Sequence, residues 1–249
     1  DTDAFRLVNS EADGLSGLTV DVLGSVAVAI SSAAWLERYR NTIESALASV
    51  GGVERVVWRR NLPRLVQDGW ERADDDDEPP LPDADGADAT VVVREHGLRF
   101  AVSPERGQKS GYFCDQRQNR QLVRQIAAGR SVLDLFCYSG GFSLAAAAGG
   151  ASSAHGVDSS AAAVEIAARN AQLNSLDDRC TFERSDALKW LKRLAEDADA
   201  PRYDLVICDP PTYAPSVKDP RRATPKYRQL HALALRATAP RGSLLPCTS

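Results

Sequence analysis

A chain of 249 residues, 43% of them hydrophobic, has the length and apolar content for one large packed domain or two smaller ones. No run approaches the ~18 apolar residues that cross a bilayer, the most apolar stretch being the short, alanine-dominated FSLAAAAGGA, so no membrane association is expected. The formal charge of −4 is unevenly spread: residues 71–88 (ERADDDDEPPLPDADGAD) carry a local charge of −8, which leaves +4 on the remainder, a mildly basic body compatible with a nucleic-acid partner.

Five cysteines, at 114, 137, 180, 208 and 247, form no CxxC pair and have no histidine cluster beside them. Neither a disulfide framework nor a metal site is expected, and the thiols point to a reducing compartment. That compartment is the cytoplasm, or the interior of a plastid or mitochondrion if a transit peptide has been removed. The chain begins at Asp1 and contains no methionine, which suggests a fragment or a processed chain.

In chain order, FRLVN (5–9), LTVDVL (18–23) and SVAVAIS (25–31) are β-rich runs separated by Gly/Asp/Ser turns. AAWLERYRNTIESALASV repeats apolar residues at three- and four-residue spacing and stops at Gly51, which predicts an amphipathic helix. VERVVWRR and RLVQDGW read as two further strands, the proline-rich acidic run at about 71–89 as a disordered loop, and TVVVREHGLRFAVSP as a hairpin turning at His96 and Gly97. Residues 1–104 are thus expected to form a small α+β domain.

From residue 105 to 249 a second domain is expected, in which helix-length and strand-length segments alternate. Strands are predicted at SVLDLF, SSAHGVDSS, CTFERSD, YDLVICDPP and GSLLPCTS, with helices between them at GGFSLAAAAGG, AAAVEIAARNAQLN, ALKWLKRLAEDA and KYRQLHALALRATAP. That alternation implies a parallel sheet covered on both faces, with ligands bound beyond the carboxyl ends of the strands.

Acids and glycines gather at those ends. The first strand runs into DLFCYSGGF, where a glycine turn before a helix brings backbone N–H groups towards an anionic ligand group while Asp134 faces a cationic one. The spacing is not GxGxxG, and a carboxylate plus an ammonium on one ligand describes S-adenosylmethionine better than a dinucleotide. Asp158 ends the second strand, where a carboxylate can take ribose hydroxyls; Asp186 and Ala187 follow the third, beside an adenine; and Asp209 opens the DPP loop after the fourth.

The blocks REHGLRFAVSPERGQKSGYFCDQRQNR, VLDLFCYSGGFSLAAAAGGA, VDSSAAAVEIAARNAQLN and YDLVICDPPTY, together with the opening FRLVNSEADGLSGLTVDVLG, resemble the bacterial ribosomal RNA large-subunit methyltransferase I family. The resemblance implies a Rossmann-like class I methyltransferase sheet preceded by a small α+β domain, S-adenosyl-L-methionine as cofactor, and 5-methylcytosine in ribosomal RNA as product. It further implies that Asp134, Phe136, Tyr138, Ser139, Gly140, Asp158, Ser159, Asp186, Ala187 and Asp209, with Phe113 and Gln116 from the GQKSGYFCDQR block, bind the cofactor. Two departures are expected: the family's N-terminal PUA-type RNA-binding module is absent, and the last helix and two strands of the sheet are missing.

C5 of cytosine is a poor nucleophile until a thiolate adds to C6, so the reaction needs a cysteine, an acid at the N3/N4 edge and a base for the C5 proton. Cys247 in LLPCTS resembles the family's thiol motif and is the expected nucleophile; Asp209 is expected at the base edge. Cys208 reads as a buried strand residue, Cys114, Cys137 and Cys180 as structural or cofactor-loop residues, and His96, His155 and His231 as structural or exposed. Thr212 stands where related enzymes carry a second cysteine, so the proton-removing base is unassigned.

The expected RNA contacts are Lys109, Arg117, Arg120 and Arg124 before the sheet, and Lys218, Arg221, Arg222, Lys226 and Tyr227 after the DPP loop, where cations stand beside aromatics that can stack on an unpaired base. Ribosomal RNA in an unpaired or opened region is the expected partner. Oligomeric state is left open, a dimer included. Two other readings stand: methylation of a guanine or adenine nitrogen, because DPPTY puts Tyr213 where amino-methyltransferases carry a stacking aromatic, and a non-catalytic RNA-binding fragment.

Overall fold

The computed structural model describes residues 1–71, 90–105, 107–197, 199–212 and 220–247, with the side chains of 220–223 excluded. The acidic run expected as a disordered loop lies, but for Glu71, outside the described residues. Two compact units divide the chain, Asp1–Arg117 and Gln118–Ser249.

In the first unit, strands β1 (Ala4–Asn9), β2 (Leu18–Leu23), β3 (Val26–Ser31) and β4 (Arg55–Arg60) form one sheet in that order, antiparallel except for the parallel β3/β4 pair. The β3-to-β4 crossover is helical, as a parallel connection requires. It consists of α1 (Ala34–Arg38) and α2 (Arg40–Ala48), broken at Tyr39 where one uninterrupted helix was expected. Leu36 and Leu47 of these helices close a core with Leu18, Val20, Ala27 and Ala29 of the sheet. β5 (Val91–Glu95) and β6 (Leu98–Val102) are the expected hairpin, with His96 and Gly97 both at positive φ, as a two-residue turn of matching twist demands.

One predicted strand is a helix. RLVQDGW contributes to α3 (Leu62–Gln67), because the side chain of Asn61 accepts the N–H of Arg64 and Pro63 occupies the first turn. A cap followed by proline outweighs the β-character of Leu65 and Val66, since both act on the first turn, where nucleation is decided.

In the second unit, α4 (Arg117–Ile126) leads into β7 (Ser131–Leu135), followed by α5 (Gly141–Ala148), β8 (Ser153–Asp158), α6 (Ala161–Leu173), β9 (Cys180–Arg184), α7 (Ala187–Glu196), β10 (Tyr203–Cys208), α8 (Pro220–Ala237) and β11 (Thr238–Pro246). The sheet is parallel throughout, in the order β11-β10-β7-β8-β9. Leu133, Leu135, Val157, Val206 and Cys208 project from one face into a cluster with Trp190 and Leu191 of α7 and Leu230 and Ala234 of α8. On the other face the strands carry Asp134 and Gly156, and α5 and α6 pack there against β7, β8 and β9. The order reverses between β7 and β10, which opens a crevice at the carboxyl ends of those two strands.

Candidate active site

Three adjacent strands end in acids at that crevice. Asp134 is the penultimate residue of β7 and is fully buried. Its register partners are Gly156 on β8 and Ile207 on β10, so Asp158 and Asp209 each stand two residues further along on either side of it. One Asp134 oxygen, Oδ2, accepts both the backbone N–H of Ser143 at 3.0 Å and its hydroxyl at 2.7 Å, at the N-terminal turn of α5. The other oxygen, Oδ1, is buried without a hydrogen-bond partner. Burial pushes this carboxyl up to about 7; the Ser143 bonds pull it down, and the charges of Asp209 and Asp158 push it further up. A carboxyl with a spare buried oxygen and two like charges nearby is a place for a cation.

The turn from β7 to α5 is tightly specified. Phe136, Tyr138 and Gly140 all have positive φ (63°, 46° and 79°), an alternation that non-glycine residues hold only where the surroundings impose it. Phe136 and Cys137 donate their N–H groups to the carbonyl of Val157, and Gly140 donates to the carbonyl of Cys137. Asp158 secures the turn: its Oδ2 accepts from the N–H of Tyr138 at 3.0 Å and its Oδ1 from the N–H of Ser160 at 2.9 Å. Each oxygen keeps a second lone-pair direction, so Asp158 can still accept from a pair of hydroxyls. Gly140 leaves no room for a side chain, because a Cβ there would lie 2.9 Å from Leu144 and 3.0 Å from Phe182.

Two residues that sequence reasoning passed over hold this turn. Ser143 anchors Asp134, and the buried Asn170 of α6 donates from Nδ2 to the carbonyl of Ser139 at 3.0 Å. An asparagine on the apolar side of the alanine-rich AARNAQL was the available signal for the second. Ser159 is exposed, and its carbonyl accepts from Arg184 Nε at 3.4 Å. Asp186 caps α7, its Oδ1 accepting from the N–H of Lys189 at 2.8 Å, while Ala187 is buried in the sheet-side cluster.

Cys247 follows β11 and is buried; its backbone N–H donates to the carbonyl of Cys208 at 2.9 Å, which ties it to the residue before Asp209. Burial, then Asp209, then Asp134 push its thiol up to about 12. Cys208 sits in the opposite-face cluster and is likewise pushed up to about 12, by burial first. Cys137 and Cys180 are buried, both with raised thiols. Tyr227 of α8 donates from its hydroxyl to the carbonyl of Pro211 at 3.5 Å, and so joins the helix to the DPP loop.

The other expected residues divide by location. Phe113, Gln116, Lys109 and Arg117 belong to the first unit. There, Gln116 is buried, Lys109 lies 4.4 Å from the Phe113 ring centroid and 3.3 Å from Asp115, and Arg117 reaches the Ala4 carbonyl at 3.1 Å and Glu95 at 3.8 Å. Arg120, expected to face RNA, is buried against Gly141, because the close approach of α4 to the start of α5 leaves no solvent beside it. Lys226 is exposed on α8. Lys218 and Tyr213, and the side chains of Arg221 and Arg222, lie outside the described residues. Among the described residues no group of three or more His, Cys, Asp or Glu side chains could hold a metal, and no helix is long and apolar enough to cross a membrane.

Residues 83–249 match the S-adenosylmethionine-dependent methyltransferase family. The chain belongs to that family. The chain is 32% identical over 248 residues to ribosomal RNA large subunit methyltransferase I of Erwinia tasmaniensis, covering 98% of this chain and 60% of that protein. It is 38% identical over 254 residues to a ribosomal RNA large subunit methyltransferase of Deinococcus radiodurans, covering 98% and 59%. The chain therefore spans about 60% of the length of the curated relatives it matches. Among solved structures, SMU.776, complexed with SAH, superposes with a TM-score of 0.78 at 25% identity, over 99% of this chain and 61% of that one. The class I fold expected from the alternating strands and helices is thereby shown, and so is the cofactor, S-adenosylmethionine. The residues at the crevice fit it: a partnerless buried carboxylate oxygen for positive charge, a glycine turn at a helix N-terminus for a carboxylate, and Asp158 for hydroxyls.

Proposed function

We propose that this chain methylates large-subunit ribosomal RNA at C5 of a cytosine, with Cys247 as the covalent catalyst. The observation that supports this most is the hydrogen bond from the Cys247 N–H to the Cys208 carbonyl, which fixes a cysteine at the end of β11 beside Asp209. The relatives' names supply the RNA; the cysteine beside the acid supplies the chemistry.

When bound, the cofactor offers an electrophilic methyl group on a sulfonium. Asp134 and the Phe136–Gly141 turn would hold its amino-acid end, Asp158 its ribose, and the Asp186–Ala187 segment its adenine edge, with Ser159 as a further contact. The thiolate of Cys247 adds to C6 of the base, which makes C5 nucleophilic while Asp209 steadies the N3/N4 edge. After methyl transfer, loss of the C5 proton to a base expels the thiolate and restores the aromatic ring, so Cys247 is regenerated. Lys109, Arg117, Lys218, Arg221, Arg222, Lys226 and Tyr227 contribute the RNA contacts, and a reducing compartment, the cytoplasm or an organelle interior, keeps the thiol available.

A thiol held near 12 is almost wholly protonated at neutral pH. Burial is the largest cause that holds it there; the charges of Asp209 and Asp134 add to it, and positive charge brought to those acids offsets that smaller part. Burial of the Cys247 side chain, which disfavours a thiolate, is what favours the second reading, methylation of a guanine or adenine nitrogen, which needs no thiolate. Mass-spectrometric mapping of large-subunit ribosomal RNA after incubation with the chain and cofactor separates them. A new methyl group on a cytosine carbon is the expected product; methylguanine or methyladenine overturns the C5 reading, and an unmodified RNA overturns both.

A further inference from the structure

The first unit carries an aromatic and arginine-rich face that none of the chemistry above uses. Its pieces are joined by a continuous set of contacts. The N–H of Ala34, at the start of α1, donates to Asp68 at the end of α3 at 2.8 Å. Glu37 of α1 accepts from Trp58 Nε1 at 3.1 Å and from Arg60 Nε at 2.8 Å, both on β4. The Arg60 guanidinium lies 5.9 Å from the ring centroid of Trp70, and that of Arg40 lies 5.7 Å from Trp58. At the outer edge, Trp35 and Tyr39 stand one helical turn apart with ring centroids 6.1 Å from each other, 37% and 56% exposed.

Two features separate this face from an ordinary solvated surface. Large aromatics are costly to leave in water, and here Trp35 and Tyr39 are presented together on the short α1 segment and the break that follows it. The acids of the face are also already engaged within it: Glu37 by Arg60 and Trp58, Asp68 by Ala34, and Glu44 by Arg40 at 3.0 Å. Arg38 on α1 and Arg64 on α3 are exposed, and their side chains make no ion pair among the described residues. Stacking rings with uncommitted guanidinium groups are what a flexible polyanion carrying planar bases requires. Val66 on α3, 56% exposed, is the large aliphatic side chain that α1 and α3 leave in water; the other exposed groups named here are rings and guanidinium groups.

We propose that this face, centred on Trp35 and Tyr39 with Arg38 and Arg64 beside them, is a binding surface for single-stranded RNA. It deepens the RNA-methyltransferase reading and rests on it: unpaired bases stack on Trp35 and Tyr39 while Arg38 and Arg64 neutralise phosphates. Selection by stacking is tolerant of sequence, so this surface supplies affinity and the strand-separated character of the substrate rather than the choice of target base.

The test uses the full chain and a fluorescein-labelled single-stranded oligoribonucleotide of mixed sequence, followed by anisotropy at several salt concentrations, with a duplex of the same sequence as competitor. Because Trp35 also donates from Nε1 to the Ser16 carbonyl at 2.9 Å, its replacement risks the local fold, and Tyr39→Ser is the aromatic variant. Tyr39→Ser should weaken binding roughly five- to tenfold. Arg38→Ala/Arg64→Ala should lower the salt slope by about 1.4, two phosphates' worth on a single strand. Calorimetric binding of S-adenosylmethionine should be unchanged in both. Wild-type affinity retained by both variants overturns this surface and leaves the RNA reading standing; absence of RNA binding by the wild-type chain overturns both; preference for the duplex overturns the stacking role.

Discussion

Asp134 receives two hydrogen bonds from Ser143 on one carboxylate oxygen and keeps its other oxygen buried and unpartnered. The first half of that arrangement is structural, since it pins α5 to the end of β7. The second is a preparation for positive charge.

The cost of that preparation appears in the pH dependence of stability. Asp134 titrates at its ordinary 3.8 in the unfolded chain and at about 7 in the folded one. Between those values the folded state binds the proton more tightly, so the contribution of Asp134 to stability falls as pH rises through the window and levels off above it. Asp134→Asn removes the titration. Relative to wild type the variant should gain stability from pH 5 to pH 8, by roughly 2–3 kcal/mol, in urea melts at the two pH values. It should also bind S-adenosylmethionine roughly tenfold or more weakly, because a neutral amide replaces a charged acceptor. Equal pH dependence of the two proteins would contradict the assignment.

Cofactor binding should itself release a proton from Asp134 near neutral pH. Titration calorimetry at pH 7 in buffers of different ionisation enthalpy measures the number released. A fraction of a proton is expected from wild type and none from Asp134→Asn.

Gly140 tests the turn independently of charge. Gly140→Ala places a methyl group 2.9–3.1 Å from Leu144, Phe182 and Ala167 at a φ of 79°. A loss of about 2–3 kcal/mol is expected, roughly 5–10 °C in melting temperature, with weakened cofactor binding. Gly52→Ala is the control, since φ there is 89° but nothing lies within 4 Å of the added carbon. It should cost only the backbone strain, about 1 kcal/mol.

Most of the fold was legible because its periodicities are strong. The alternating segments after residue 130 yielded all five strands of the parallel sheet, and the acids at 134, 158, 186 and 209 fell at their ends because a strand that stops at a loop must present its last side chains there. What was not legible depended on contacts between distant segments. Leu62–Gln67 is a helix because a cap and a proline act in its first turn, signals that hydrophobic character obscured. The break at Tyr39 left no mark in the apolar spacing. At the site, acid and glycine positions announced themselves by type, whereas Ser143 and Asn170 became visible only once α5 and α6 were packed. Arg120 was misassigned to solvent because an arginine in a helix is usually exposed, and here the approach of α4 to Gly141 buries it.

The first unit carries a buried polar network that no motif suggested. Asp21, on β2, accepts from Arg6 Nε at 2.5 Å and Nη2 at 3.2 Å, and from the hydroxyl of Ser110 in the GQKSGYF block. The Arg6 guanidinium is held more firmly charged by Asp21. Asp21→Ala should cost about 2–3 kcal/mol in chemical denaturation, because it leaves the partly buried Arg6 uncompensated. Ser110→Ala should cost about 1 kcal/mol.

The most direct test of the central claim uses RNA in which cytidine is replaced by 5-fluorocytidine. Fluorine at C5 cannot be removed as a proton is, so a chain that attacks C6 and transfers a methyl group remains covalently attached. With S-adenosylmethionine present, a denaturation-resistant RNA adduct mapping to Cys247 is predicted, and Cys247→Ser should form none. A methylated RNA product without an adduct, or full methylation by Cys247→Ser, would contradict the account.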